Sequence, residues 1–146
     1  MKKFVTLVAA AVLGATLSYA QTPKLEAVVA KDKHSKPTDS FAADVPKVYV
    51  FFKSKGTKSG DKVRSVWIAE DVGDAAPKGT TIDEATIALE KDDGSGSFSL
   101  SKPTKGWPVG EYRVDICFRD QVATSVKFTI KSGDESDKED DDDEKD

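Results

Sequence analysis

Residues 106–130 read GWPVGEYRVDICFRDQVATSVKFTI, and their alternation decides the fold. A turn signal at residues 106–110 leads into Tyr112, Val114, Ile116 and Phe118 at every second position. After a short polar break at Arg119 and Asp120, Val122, Val126, Phe128 and Ile130 keep the same period. A period of two buries one face and wets the other, so the stretch predicts an antiparallel hairpin in a layered all-β domain. No catalytic constellation lies within it.

Further toward the N-terminus, residues 25–30 predict a short strand and residues 31–40 a polar loop. Residues 47–54 predict a strand apolar on both faces, and residues 62–70 a strand carrying Trp67. A loop at 71–79 leads to a strand at 81–90, with an irregularity expected near Asp83 and Glu84. The turn-rich segment 92–96 then precedes a strand at 97–101. With the final hairpin these make seven strands separated by turn chemistry, the pattern of a sandwich.

Trp67 on the third strand, together with Pro108, Gly110, Tyr112 and Val114 in a W-P-x-G-x-Y-x-V run, resembles bacterial exported immunoglobulin-like (fibronectin type III-like) domains. The resemblance spans most of residues 47–130. It implies a seven-strand immunoglobulin-like sandwich in which Tyr112 bonds back to the backbone at a sheet corner. The paired cysteines of antibody domains are missing, since Cys117 is the sole cysteine and permits no internal disulfide.

The ends of the chain differ from its middle. Lys2 and Lys3, an apolar run at residues 4–17 and small residues at Ser18 and Ala20 read as a cleaved signal peptide over residues 1–20. That run of fourteen residues is short of the roughly twenty that cross a bilayer, so stable membrane insertion is not expected. The expected location is the periplasm or the exterior. Residues 134–146 hold ten acids and two lysines, a net of −8. Such a run cannot bury apolar surface and predicts a disordered acidic tail. Residues 21–133, the sandwich domain, carry eighteen basic and sixteen acidic side chains and are nearly neutral. With no concentrated basic stripe and a tail that phosphate repels, nucleic acid is not an expected partner.

Catalytic chemistry lacks its parts. His34 is the single histidine and sits in a lysine-flanked loop, where nothing positions it as a general base. Cys117 is expected on the outer face of its strand beside Arg113 and Arg119, which would favour the thiolate. Residues 92–97 lack the alternating acids and distal glutamate of a calcium loop, and residues 54–61 lack the order of a phosphate loop. Both read as turns. No enzyme activity, cofactor or metal centre is expected.

Alternation places Trp67 inward and Val66 and Ile68 outward, near Arg113 and Arg119 on the neighbouring strand. Tyr49 and Phe51 point outward from the other sheet if Val48, Val50 and Phe52 point inward. Apolar patches rimmed by charge characterise binding faces. The expected function is therefore an exported, non-catalytic protein-interaction module binding through an outer sheet face, with Val66, Ile68, Arg113 and Arg119 as contact residues. The alternative is a structural or weak divalent-cation-binding protein whose acidic tail gathers calcium.

Overall fold

The computed structural model describes residues 22–132. The signal sequence read over residues 1–20 and the acidic tail over 134–146 lie outside the described residues. Within them run eight strands: β1 (Lys24–Ala30), β2 (Ser40–Ala42), β3 (Lys47–Lys55), β4 (Lys62–Asp71), β5 (Thr80–Ala88), β6 (Ser95–Ser101), β7 (Gly110–Phe118) and β8 (Gln121–Lys131). One 3-10 turn, Gly73–Ala75, interrupts them.

The strands form a three-stranded sheet in the order β1-β3-β6 and a five-stranded sheet in the order β2-β8-β7-β4-β5. Consecutive strands β3 and β4 lie in different sheets, as do β5 and β6 and then β6 and β7. That division, in which the chain crosses between layers at these steps while β4 pairs with β5 and β7 with β8, is the arrangement of an immunoglobulin-like sandwich.

The count is eight strands, against seven read from the sequence. The addition is β2, in and just beyond the segment read as a polar loop. Three residues are too few to show an alternation. The strand exists because buried Phe41 meets Phe128 edge-on, with ring centroids 5.8 Å apart. It runs parallel to β8, and the Asp39 carbonyl accepts from Thr129 N at 2.7 Å just ahead of it.

The core lies between the sheets and sets eight aromatic side chains among valines, leucines, isoleucines and an alanine. Val63, Ser65, Trp67 and Ala69 point inward from β4 and are buried, as are Val48, Val50 and Phe52 from β3. Tyr112 stacks flat on Phe128 at 5.2 Å, and Trp107 meets Tyr112 edge-on at 5.8 Å. Such ring pairs each contribute roughly 0.5–1.5 kcal/mol beyond the area they bury. Trp107 Nε1 donates to the Val45 carbonyl at 2.8 Å, tying the approach to β7 to the chain ahead of β3. The Tyr112 hydroxyl donates to the Pro108 carbonyl four residues back, closing the corner at which β7 begins.

Two bulges redirect side chains from the sequence expectation. Pairing of β7 with β8 shifts between Ile116 and Cys117, passing over Ala123. Val122 thereby leaves the face of Val126, Phe128 and Ile130 and is 57% exposed. Pairing of β4 with β5 passes over Ile82, one residue before the irregularity expected at Asp83.

Candidate functional site

The outer face of the five-stranded sheet carries the residues that alternation singled out, yet it is not an open apolar patch. Ile68 lies opposite Arg113 on β7 and Thr81 on β5 and is only 7% exposed. It stands outside the inter-sheet core cluster, so side chains on its own face shelter it. Val66 is half-buried between Asp115 and Glu84 in register.

Arg113 is already engaged. Its Nη1 lies 3.0 Å from Glu70 Oε1 and its Nε 3.1 Å from Asp115 Oδ1. Ser125 donates to the same Asp115 oxygen at 2.6 Å. The hydrogen bond it donates to Glu70, then that to Asp115, holds the guanidinium pKa above its ordinary value. This network spans β4, β7 and β8 and fastens three strands together, with Asp115 buried beneath it. Desolvating a carboxylate costs several kcal/mol unless it is paired and hydrogen-bonded, as Asp115 is here.

Arg119 does not join Val66 and Ile68. It occupies the two-residue β7–β8 turn with Asp120, at φ values of 52° and 62°, the geometry of a type I′ hairpin turn. Its guanidinium lies 5.0 Å from the Phe118 ring centroid. Of the four residues read as contacts, Val66, Ile68 and Arg113 share a face and Arg119 sits at the end of the sheet.

Cys117, expected on the outer face, is 5% exposed and lies opposite Arg64 and Val122. His34 is exposed in a loop turned by Asp32, whose Oδ1 accepts from the His34 and Ser35 amides. Those amide bonds, His34's foremost, hold the Asp32 carboxyl below its usual range. Among the described residues no cluster of three or more histidine, cysteine or acidic side chains is placed to hold a metal. No helix among them is long and apolar enough to cross a membrane.

The two segments weighed against calcium and phosphate loops brace each other. Asp93 Oδ1 accepts from Gly56 N at 2.7 Å, and Asp92 Oδ1 accepts from Ser59 N at 2.9 Å. Beneath them Ser54 and buried Thr57 share a hydroxyl bond of 2.6 Å. Both aspartates are thus used in joining the β3–β4 turn to the β5–β6 connection.

The outer face of the three-stranded sheet is different. Tyr49 and Phe51, two residues apart on β3, stack with their ring planes nearly parallel at 10° and centroids 5.9 Å apart. Both are half-buried. In register, Tyr49 lies between Ala30 and Ser99, and Phe51 between Val28 and Ser97. These neighbours are small or short, and Val28 is itself 43% exposed. The face is aromatic at its centre and bounded along β3 by Lys47 and Lys53. The sequence reading reached Tyr49 and Phe51 but passed over Ser97 and Ser99, whose signal was the charge-free alternation SGSFSLS at residues 95–101.

No protein-family model matches the chain, and no curated protein matches it. Among solved structures it is similar to an immunoglobulin-like protein from Pseudomonas aeruginosa, at 14% identity over 76% of this chain and 93% of that one, with a TM-score of 0.48. It is also similar to part of a β-glucosidase from Listeria innocua, at 14% identity over 76% of this chain, with a TM-score of 0.44. A β-glucosidase from Kluyveromyces marxianus is similar at 16% identity over 75% of this chain, with a TM-score of 0.46. The chain spans 16% and 14% of the lengths of those two enzymes.

Proposed function

We propose that the chain is an exported, non-catalytic protein-interaction module that binds its partner through an outer sheet face. The observation carrying this reading is the stacked Tyr49–Phe51 pair, half-exposed between Val28 on one side and serines on the other. Aromatic side chains anchored on a rigid strand give large contact area at little cost in side-chain entropy. The five-stranded face, by contrast, has its arginine paired and Ile68 covered. Export is supported by the signal pattern of residues 1–20.

The test is affinity capture from envelope and culture fluid with three baits. These are residues 21–146, the tail-less 21–133, and full-length mature chain carrying Tyr49→Ser and Phe51→Ser. Both positions lie outside the inter-sheet core cluster, so the double variant should still fold cooperatively, with its melting temperature lowered by roughly 5–10 °C. A partner held by the first two baits and lost by the third supports the reading. A partner held by the third bait and lost with the tail or at high salt would place recognition on the acidic segment instead.

A further inference from the structure

The edges of the two sheets are unequally protected. Exposed strand edges invite pairing with another chain, and proteins blunt them with charge, bulges, brevity or cover. Edge strand β2 is three residues long. Edge strand β5 carries Asp83 and Glu84 and a bulge at Ile82. Edge strand β1 carries Lys24 and Glu26, and its Val29 carbonyl accepts from Thr38 N at 3.0 Å. Edge strand β6 has none of these devices. It runs seven residues without a charge or a proline, in unbroken register with β3.

The ladder shows which β6 groups face outward. Lys102 N donates to the Pro46 carbonyl, and Ser54 N donates to the Gly94 carbonyl. In an antiparallel ladder bonded pairs alternate with unbonded ones. The bonded pairs between those two points are therefore Val48 with Leu100, Val50 with Phe98 and Phe52 with Gly96. The amides and carbonyls of Ser97 and Ser99 point away from β3, toward an edge that no described strand occupies.

Resting on the interaction-module reading, we propose that β6 is a strand-addition site for an extended peptide of the partner. The peptide pairs with Ser97 and Ser99 through its backbone. Its residues opposite those serines share their face, two positions apart, and continue the rows that hold Phe51 and Tyr49. An added strand lies two spacings, about 9.6 Å, from β3. Because serine side chains are short, a large apolar side chain at each of those positions leans across onto the aromatic rings. The next rows out hold Ser95 with Lys53 and Ser101 with Lys47, and neither lysine forms an ion pair among the described residues. The fitting sequence is thus acidic-x-apolar-x-apolar-x-acidic, its carboxylates meeting Lys53 and Lys47.

The test pans a displayed random dodecapeptide library against the mature chain, residues 21–146, then measures enriched peptides by fluorescence anisotropy. Enrichment of the alternating apolar pattern with flanking acids is expected. Ser99→Pro removes one outward amide without touching the β3 ladder, and should weaken those peptides at least about tenfold with thermal stability retained. Ser97→Glu, a surface change that repels the acidic ends and crowds Phe51, should weaken them similarly. Enriched peptides of unrelated pattern, or no enrichment, would overturn strand addition. Binding that survives Ser99→Pro and Ser97→Glu but fails with Tyr49→Ser and Phe51→Ser would overturn it while leaving the face reading intact. Binding indifferent to all of these variants would remove both. A concentration-dependent dimer in sedimentation velocity that Ser99→Pro dissolves would show the edge filled by a second copy, and would also overturn the peptide assignment.

Discussion

Gly110 sits against the backbone of Asp71 so closely that a β-carbon there would lie 2.2 Å from the Asp71 carbonyl oxygen. It would also come within 2.9 Å of the Val72 α-carbon. The approach occurs where β7 begins beside the end of β4, at the register shift between Ala69 and Asp71. Gly110 has φ of 151°, a region that residues with side chains rarely occupy. Gly110→Ala therefore adds backbone strain to a main-chain clash that no side-chain rotation relieves. We expect a loss of about 3 kcal/mol or more in urea unfolding. Gly106→Ala is the control. Gly106 has φ of 86° but open space around it, so its cost should be near 1 kcal/mol. Equal losses at the two sites would show that conformation alone sets the effect.

Ser65 offers the opposite case. It is fully buried on the inner face of β4, and its hydroxyl has no hydrogen-bond partner. Its cross-strand neighbours, Ala85 and Ile116, offer nothing for that hydroxyl to bond through their side chains. Burying an unpaired hydroxyl costs roughly 1–3 kcal/mol on mutational scales. Ser65→Ala removes that penalty and leaves almost no cavity. The urea midpoint should rise, by the equivalent of about 1 kcal/mol, with the slope unchanged. A fall in the midpoint would show that the hydroxyl is satisfied.

Val66 and Ile68 look equivalent by alternation, and the structure separates them. Ile68 is buried although it faces away from the core cluster, while Val66 is half-buried. Ile68→Ser should cost about 2–4 kcal/mol through lost burial and the space left behind. Val66→Ser should cost about 1 kcal/mol or less. Thermal unfolding of the two single variants distinguishes them, and matching melting temperatures would return Ile68 to the surface.

How much was legible follows from what each signal encodes. The inward residues of β3, β4 and β7 were readable because a two-residue period needs only one uninterrupted strand. Val122 was misplaced because a single bulge residue, Ala123, inverts the parity of everything before it. β2 was invisible because its stability comes from Phe41 against Phe128, some ninety residues away. The four residues read as contacts divide for the same reason. Arg113 and Arg119 read as neighbouring outward arginines, yet one is bound to Glu70 and Asp115 and the other turns the hairpin. Which outward residues are already paired, and which sheet edge lacks a neighbour, are properties of the assembled topology. Alternation within one strand does not contain them.

Tyr112 ties the architecture to pH. Its ring is buried between Trp107 and Phe128, and burial pushes the phenol pKa from 10.0 to about 12. A raised folded-state pKa means that the folded chain keeps its proton after the unfolded chain has released it. The associated stability is fully present below pH 10 and declines as pH rises from about 10 toward 12. Tyr112→Phe removes this titration together with the bond to the Pro108 carbonyl. At neutral pH the variant should be less stable by about 1 kcal/mol. Every other titrating group is common to both proteins and cancels in the comparison. The gap between the two should therefore narrow as pH climbs above 10, and measuring urea midpoints of both proteins from neutral to alkaline pH reads it directly. A gap that stays constant would mean that Tyr112 ionises as readily folded as unfolded, and that its ring is not shielded at the corner.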